Sequence, residues 1–416
     1  MPDYQLIGPF EELLPMSQLP LRGALADDNL PVISKAGILL TKDKIVAVGP
    51  FEKLYQQYKD LNLGVQELSI PLVGLPGLVD AHTHICFGGS RAKDYAMRNA
   101  GKSYLEIAKA GGGIWDTVQH TRANSQSELT AGIIKRANRQ ISNGITTIEV
   151  KSGYGLSIAA ELKMLKAIAA ANKQHIADLI PTCLAAHIFP KDYAGSISAY
   201  LAEISENLFP LLKKEQLANR IDAFIEEEAF SPTIIAPYLA KAKEMGFDIT
   251  LHVDQFHAGS SKVAVAFEAI SADHLEASTQ KEIDMLAKSA VIPVALPGAS
   301  LGLGCAFTPA RKLLDAGTSL AIASDWNPGS APMGNLLTQA AILGTFQKLS
   351  NTEVLAGLTF RAAAALNLND RGKLQKGYLA DFIGFPTDDY REILYQQGQL
   401  KPAMVWKRGV LYSNKA

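Results

Sequence analysis

What most constrains this chain is a rhythm that fills its middle. From about residue 75 to about residue 365, short β-branched or apolar runs ending in polar residues alternate with longer Ala-, Leu-, Lys- and Glu-rich stretches of helical period. The runs are PGLVDAHTH, ITTIEVKSGYG, DLIPTCLAAH, RIDAFIEEEAF, FDITLHVDQF, AISADHLE, AVIPVALPG and SLAIASDWNPG. Stretches such as SIAAELKMLKAIAAANKQ and SPTIIAPYLAKAKEMG lie between them, with apolar residues at helical spacing. Eight strand-like runs separated by helices is the count of a (β/α)8 barrel of the TIM type, an α/β fold. An open doubly wound sheet shares the alternation, but no Gly-rich dinucleotide fingerprint follows the first run.

The two ends read differently. GILLTKDKIVAVG joins two alternating runs through TKDK, a hairpin pattern, and the C-terminus carries YLADFIGF and PAMVWKRGVLY. Neither end can bury a β surface alone, so both are expected to contribute to one small β domain. That divides the chain into 1–70, the N-terminal part of the small domain, 71–370, the barrel, and 371–416, the C-terminal part. The uncharged segment 289–310 is long enough to cross a bilayer, but its prolines and small residues suit a buried strand followed by a loop.

Composition excludes several function classes. The formal net charge is -1 and no basic run is interleaved with aromatics, which argues against a nucleic-acid partner. The N-terminus has no cationic region followed by an apolar stretch, so neither a secretory signal nor a membrane partner is expected. Three scattered cysteines (Cys86, Cys183, Cys305) make no disulfide framework and suit a reducing cytoplasm.

In such barrels the chemistry collects at the C-terminal ends of the strands. Here those ends carry His82 and His84 from the first run, Tyr154 after the second, His187 after the third and Glu226, Glu227 and Glu228 from the fourth. The fifth, sixth and eighth runs add His252, His274 and Asp325, so five of the eight histidines sit at strand ends. Residues i and i+2 of a strand point the same way, so His82 and His84 can share one ion. Imidazole nitrogen binds Zn²⁺ or Fe²⁺ at roughly 2.0–2.1 Å, and His252 and Asp325 are candidates to complete the sphere with one position left for water. Each residue also has a plainer reading. His187 alone reads as a satisfied polar residue, Asp325 alone as a helix N-cap, and the Glu cluster as solvated or structurally hydrogen-bonded. Cys86 reads as a small buried residue, and Gly111–Gly113 as a flexible loop near the site. Agreement among five strand ends is what favours a metal centre.

PGLVDAHTH resembles the first metal-binding strand of the amidohydrolase superfamily. Together, GGGIWDTVQHTR, EVKSGYGL, PTCLAAH, SADHLE and SDWNPGS resemble the imidazolonepropionase family within it, and the likeness runs through essentially the whole chain. The resemblance implies one divalent metal per subunit, Zn²⁺ or Fe, on His82, His84, His252 and Asp325. It implies hydrolysis of the cyclic amide of 4-imidazolone-5-propanoate to N-formimino-L-glutamate, with Arg91, Tyr154, His187, Asn327, Gly329 and Ser330 on the substrate. His274 matches a histidine thought to assist proton transfer, and Asp325 would carry the water proton to the departing ring nitrogen. Arg91, whose plainer reading is a surface ion pair, would grip a substrate carboxylate.

Two departures stand out. Many relatives carry Glu three residues after the strand-five histidine, where this chain has Gln255, a neutral amide that can hydrogen-bond substrate or water but cannot act as a general base. The glycines that often follow are replaced by HAGSS. No lysine stands in run four, which excludes a carbamylated lysine there bridging two ions and favours one. Two rival functions share these features: another cyclic-amide hydrolase or heterocycle aminohydrolase, and a catalytically dead barrel used as a scaffold. A homodimer is the default expectation for assembly.

Overall fold

The computed structural model describes residues 2–102, 104–227 and 229–412. Eight parallel strands form the barrel in chain order: β1 (Leu78–Asp80), β2 (Ile145–Lys151), β3 (Asp178–Ala186), β4 (Arg220–Ile225), β5 (Asp248–Val253), β6 (Ser271–His274), β7 (Ile292–Ala295) and β8 (Ala321–Ile322). Most of these residues are buried, as strands covered on both faces require. The ring closes through backbone between its first and last runs. Asp325 N donates to His82 O at 3.0 Å and His84 N to Trp326 O at 2.9 Å. Behind this seam Asp80 accepts from Ser324 N at 2.9 Å, Ser324 Oγ at 2.5 Å and Gln140 Nε2 at 2.9 Å.

The helical stretches fold as their spacing predicts. Helix Ile158–Gln174 is capped by Ser157 and helix Pro232–Glu244 by Ser231, each side chain accepting a first-turn N–H. Segment 289–310 differs from the expected strand and loop. Strand β7 is followed at once by helix Pro297–Leu303, because Pro297 occupies the first helical turn, where its missing N–H costs nothing.

A second sheet gathers both chain ends. Its order runs Val410–Leu411, Met404–Lys407, Phe382–Phe385, Val73–Pro76, Tyr4–Leu13, Ile33–Thr41 and Lys44–Pro50, with Leu63–Glu67 also pairing parallel to Tyr4–Leu13. The TKDK pattern forms a tight antiparallel hairpin in which Thr41 pairs with Lys44 and Lys42 takes a positive φ of 51°. Phe10, Phe382 and Trp406 pack at its centre, the last two stacked 4.7 Å apart. Because Val73–Pro76 belongs to this sheet, the chain passes into the barrel at Gly77, a few residues beyond residue 70. A side chain there would meet Thr146 Oγ1 at 2.3 Å, so only glycine fits the crossing.

Candidate active site

The strand ends bring three imidazoles into contact. His82 Nε2 lies 3.2 Å from His84 Nε2, which lies 3.4 Å from His252 Nε2. All three residues are buried. Asp325 Oδ1 sits 3.5 Å from His82 Nε2 and 3.4 Å from His84 Nε2, so the segment just past β8 faces the same point.

The other ring nitrogens explain why these lone pairs face one another. His82 Nδ1 is 2.6 Å from Asp273 Oδ2, and His252 Nδ1 is 3.1 Å from Asp222 Oδ1. A carboxylate there fixes the Nδ1–H tautomer and leaves Nε2 as a bare acceptor. Burial, reinforced by the Lys151 ammonium, holds the His82 pKa well below its usual value. Burial takes His252 down to about 4 despite Asp222 beside it. His82 and His252 thus aim bare acceptor nitrogens at the His84 Nε2 between them, and the donor set fits a divalent metal.

His274 and Asp325 take left-handed backbone, with φ of 86° and 51°, and so does Leu275 at 69°. Non-glycine residues enter that region at a cost that surrounding structure must offset, and such strain clusters at functional sites. Here Thr308 Oγ1 donates to His274 O at 2.5 Å. His274 Nδ1 lies 3.4 Å from Glu276. Burial opposes its protonation, but Glu276, with Asp325 and Asp273, keeps its pKa above the usual value. Burial likewise opposes the ionised form of Asp325, yet the neighbouring His84 holds its carboxyl below the usual range.

The remaining residues singled out in the sequence lie in the segments that follow the barrel strands. His187 stacks on His84 with ring centres 5.4 Å apart, and its Nδ1 donates to Gly153 O at 3.0 Å. Tyr154, buried 5.4 Å from the His187 ring, has its phenol pushed upward by burial and stays a neutral donor. Arg91 Nε donates to Asp94 Oδ2 at 2.8 Å, and Asp94 also receives Gly113 N at 2.8 Å. The Arg91 fork lies against Gly329, where a Cβ would meet Nη1 at 2.4 Å. Asn327 is committed to its own loop: Oδ1 receives the N–H groups of Gly329 and Ser330 at 2.8 Å, and Nδ2 donates to Asp325 O at 2.7 Å and Ser330 Oγ at 2.9 Å. Gln255 is half-buried in the turn after β5.

Several sequence features take structural parts. Glu226 is buried and receives Phe256 N at 2.8 Å and His257 N at 3.3 Å, pinning the loop after β5, while Glu228 lies outside the described residues. Cys86 is buried and uncrosslinked. Gly113 starts helix Ile114–Ala123, and Gly112 packs on Asp94. Sequence reasoning missed Asp222, Asp273, Glu149, Lys151 and Glu276. The signal present was charge inside or just past otherwise apolar strand runs.

The model of the amidohydrolase family matches residues 96–411. The chain belongs to the amidohydrolase family. It is 38% identical to an imidazolonepropionase of Bdellovibrio bacteriovorus over 94% of this chain and 93% of that protein. It is 37% identical to one of Pseudomonas putida F1, over 94% and 97% respectively. Among solved structures this amidohydrolase is similar in fold to a triazine hydrolase variant, with TM-score 0.72, 17% identity and coverage of 98% of this chain and 94% of that one. It also resembles an adenosine deaminase from Xanthomonas campestris with bound zinc, with TM-score 0.70, 20% identity and coverage of 98% and 92%. Among the described residues, no helix is long and apolar enough to cross a membrane.

Proposed function

We propose that this chain hydrolyses the cyclic amide of 4-imidazolone-5-propanoate to N-formimino-L-glutamate, a step of histidine degradation. The observation that carries the reading is likeness to imidazolonepropionases along nearly the whole length of both chains. The converging imidazoles, the acid beside them and an arginine at the mouth support it.

In this reading His82, His84, His252 and Asp325 hold one divalent ion per subunit, zinc or iron, the ligand set suiting both. The ion supplies Lewis-acid polarisation and lowers the pKa of a water from ~15.7 to ~7. The chain's own groups do the rest. Arg91, its Nε anchored on Asp94, turns its remaining N–H groups to the propionate. Tyr154 and His187 hold the ring by hydrogen bonds, with Gln255, Gly329 and Ser330 as further contacts and Asn327 setting the loop that carries the last two. Water oxygen adds to the ring carbonyl carbon. Asp325 takes the water proton, and His274 donates to the oxygen as its negative charge grows. The ring C–N bond then breaks, and the proton on Asp325 passes to the departing nitrogen.

A small molecule with a carboxylate is thus the partner we infer, in the cytoplasm and in a homodimer. The test is mass-spectrometric detection of formiminoglutamate from imidazolonepropionate, with and without a chelator. We expect product that chelation abolishes and Zn²⁺ or Fe²⁺ restores. Its absence under all three conditions overturns the proposal.

A further inference from the structure

Lys151 has no part in the chemistry above, yet its side chain is sealed inside the barrel, as are those of Glu149 and Asp222. Nζ donates to Glu149 Oε1 at 2.8 Å, pairs with Asp222 Oδ2 at 2.8 Å and lies 4.0 Å from Asp273 Oδ2. Each of these carboxylates holds a different part of the histidine cluster. Glu149 Oε2 receives the backbone N–H of Thr83, between His82 and His84, at 3.1 Å. Asp222 faces His252 Nδ1, and Asp273 faces His82 Nδ1. Even the backbone joins in, Lys151 N donating to Thr83 O at 3.0 Å.

Burying an ammonium costs several kcal/mol unless good geometry offsets it, so its place among three acids needs a reason beyond filling space. We propose that Lys151 is a positioning residue for the metal-binding histidines: one ammonium on β2 ties together the carboxylates that set Thr83, His82 and His252. The ligand-bearing segment just past β1 is thereby locked to β5 through β2, β4 and β6. The inference rests on the reading that His82, His84 and His252 hold a divalent cation.

The test follows transfer of Zn²⁺ from the zinc-loaded protein to a chromogenic chelator. It compares the parent, Lys151→Met, Glu149→Gln and the double variant, which removes one charge of each sign and so keeps the charge balance of the site. Lys151→Met is expected to bind Zn²⁺ about 10–100-fold more weakly, the range for residues that orient metal ligands. At saturating Zn²⁺ it should show a lower kcat with KM unchanged, and the double variant should bind more weakly than Glu149→Gln. Zn²⁺ binding by folded variants that matches their own reference proteins overturns the proposal. So does failure of both Lys151 variants to fold, which would make the lysine a core residue only. A parent that binds no Zn²⁺ overturns the metal reading itself, and this inference with it.

Discussion

Asp325, just past β8, and His274, at the end of β6, both lie beside the histidine cluster, and their substitutions should be told apart from that of Arg91 by kinetics. In the proposed mechanism Asp325→Asn and His274→Phe each remove a group that acts while bonds change, so kcat is expected to fall by about 10²–10⁴. Steady-state rates on protein of measured metal content check this; an Asp325→Asn enzyme with metal bound and a near-parental kcat would end the proton-carrier role. In the same reading, Arg91→Met removes a charge-assisted contact that substrate and transition state share. A contact of about 1.5–3 kcal/mol corresponds to a rise in KM of roughly 10–150-fold with kcat little changed. A pure kcat loss would assign Arg91 to the chemistry instead. A neutral heterocycle would need no such clamp, so the same variant separates the proposed substrate class from its rivals.

At the level of elements, the seam between β1 and β8 is the join to probe. Asp80 satisfies Ser324 and Gln140 behind it, one residue before Asp325. Asp80→Ala leaves those buried donors without an acceptor and should cost about 2–4 kcal/mol, seen as a lower urea midpoint at unchanged m. Because Ser324 adjoins Asp325, kcat should drop too; a stability loss with full activity would show that the seam does not position the site. The seam also shows what a sequence can reveal. His82, His84, His252 and Asp325 are legible because polar residues that end apolar runs mark the mouth of a barrel. Asp222, Asp273 and Lys151 are not, because what they hold depends on register: Asp222 pairs across strands with Thr250, two residues before the histidine it orients. Nothing in a linear pattern encodes that stagger. The helix after β7 was missed for a local reason, since Pro297 reads as a breaker unless its place in the first turn is known.

Across the whole molecule, the two sheets meet through charge as well as packing. Asp178 at the start of β3 pairs with Arg371 at 2.6 Å, Lys407 at 2.8 Å and Arg408 at 3.1 Å, joining barrel to terminal sheet. Burial opposes the ionised form of Asp178, but Lys407 and the two arginines hold its pKa below the usual value. A depressed carboxyl stabilises the fold above its unfolded pKa and loses that contribution as pH falls through the folded value. Asp178→Asn should therefore cost about 2–3 kcal/mol at neutral pH, a partly buried network lying between surface and buried pairs. Urea unfolding from pH 7 downward should show the gap to the parent narrowing below about pH 4. A gap that widens on acidification would mean that the pairing is not what stabilises this junction.

The backbone bonds that close the barrel run between the run carrying His82 and His84 and the run carrying Asp325. Whatever those side chains grip together therefore works as the clasp of a bracelet. Filling the site and keeping the ring shut become one equilibrium, and a ligand at a hundred times its dissociation constant adds about 2.7 kcal/mol to the folded state. Stripping the metal proposed there should lower the melting temperature and expose first the segments on either side of that clasp, around residues 82–91 and 325–331, to a protease.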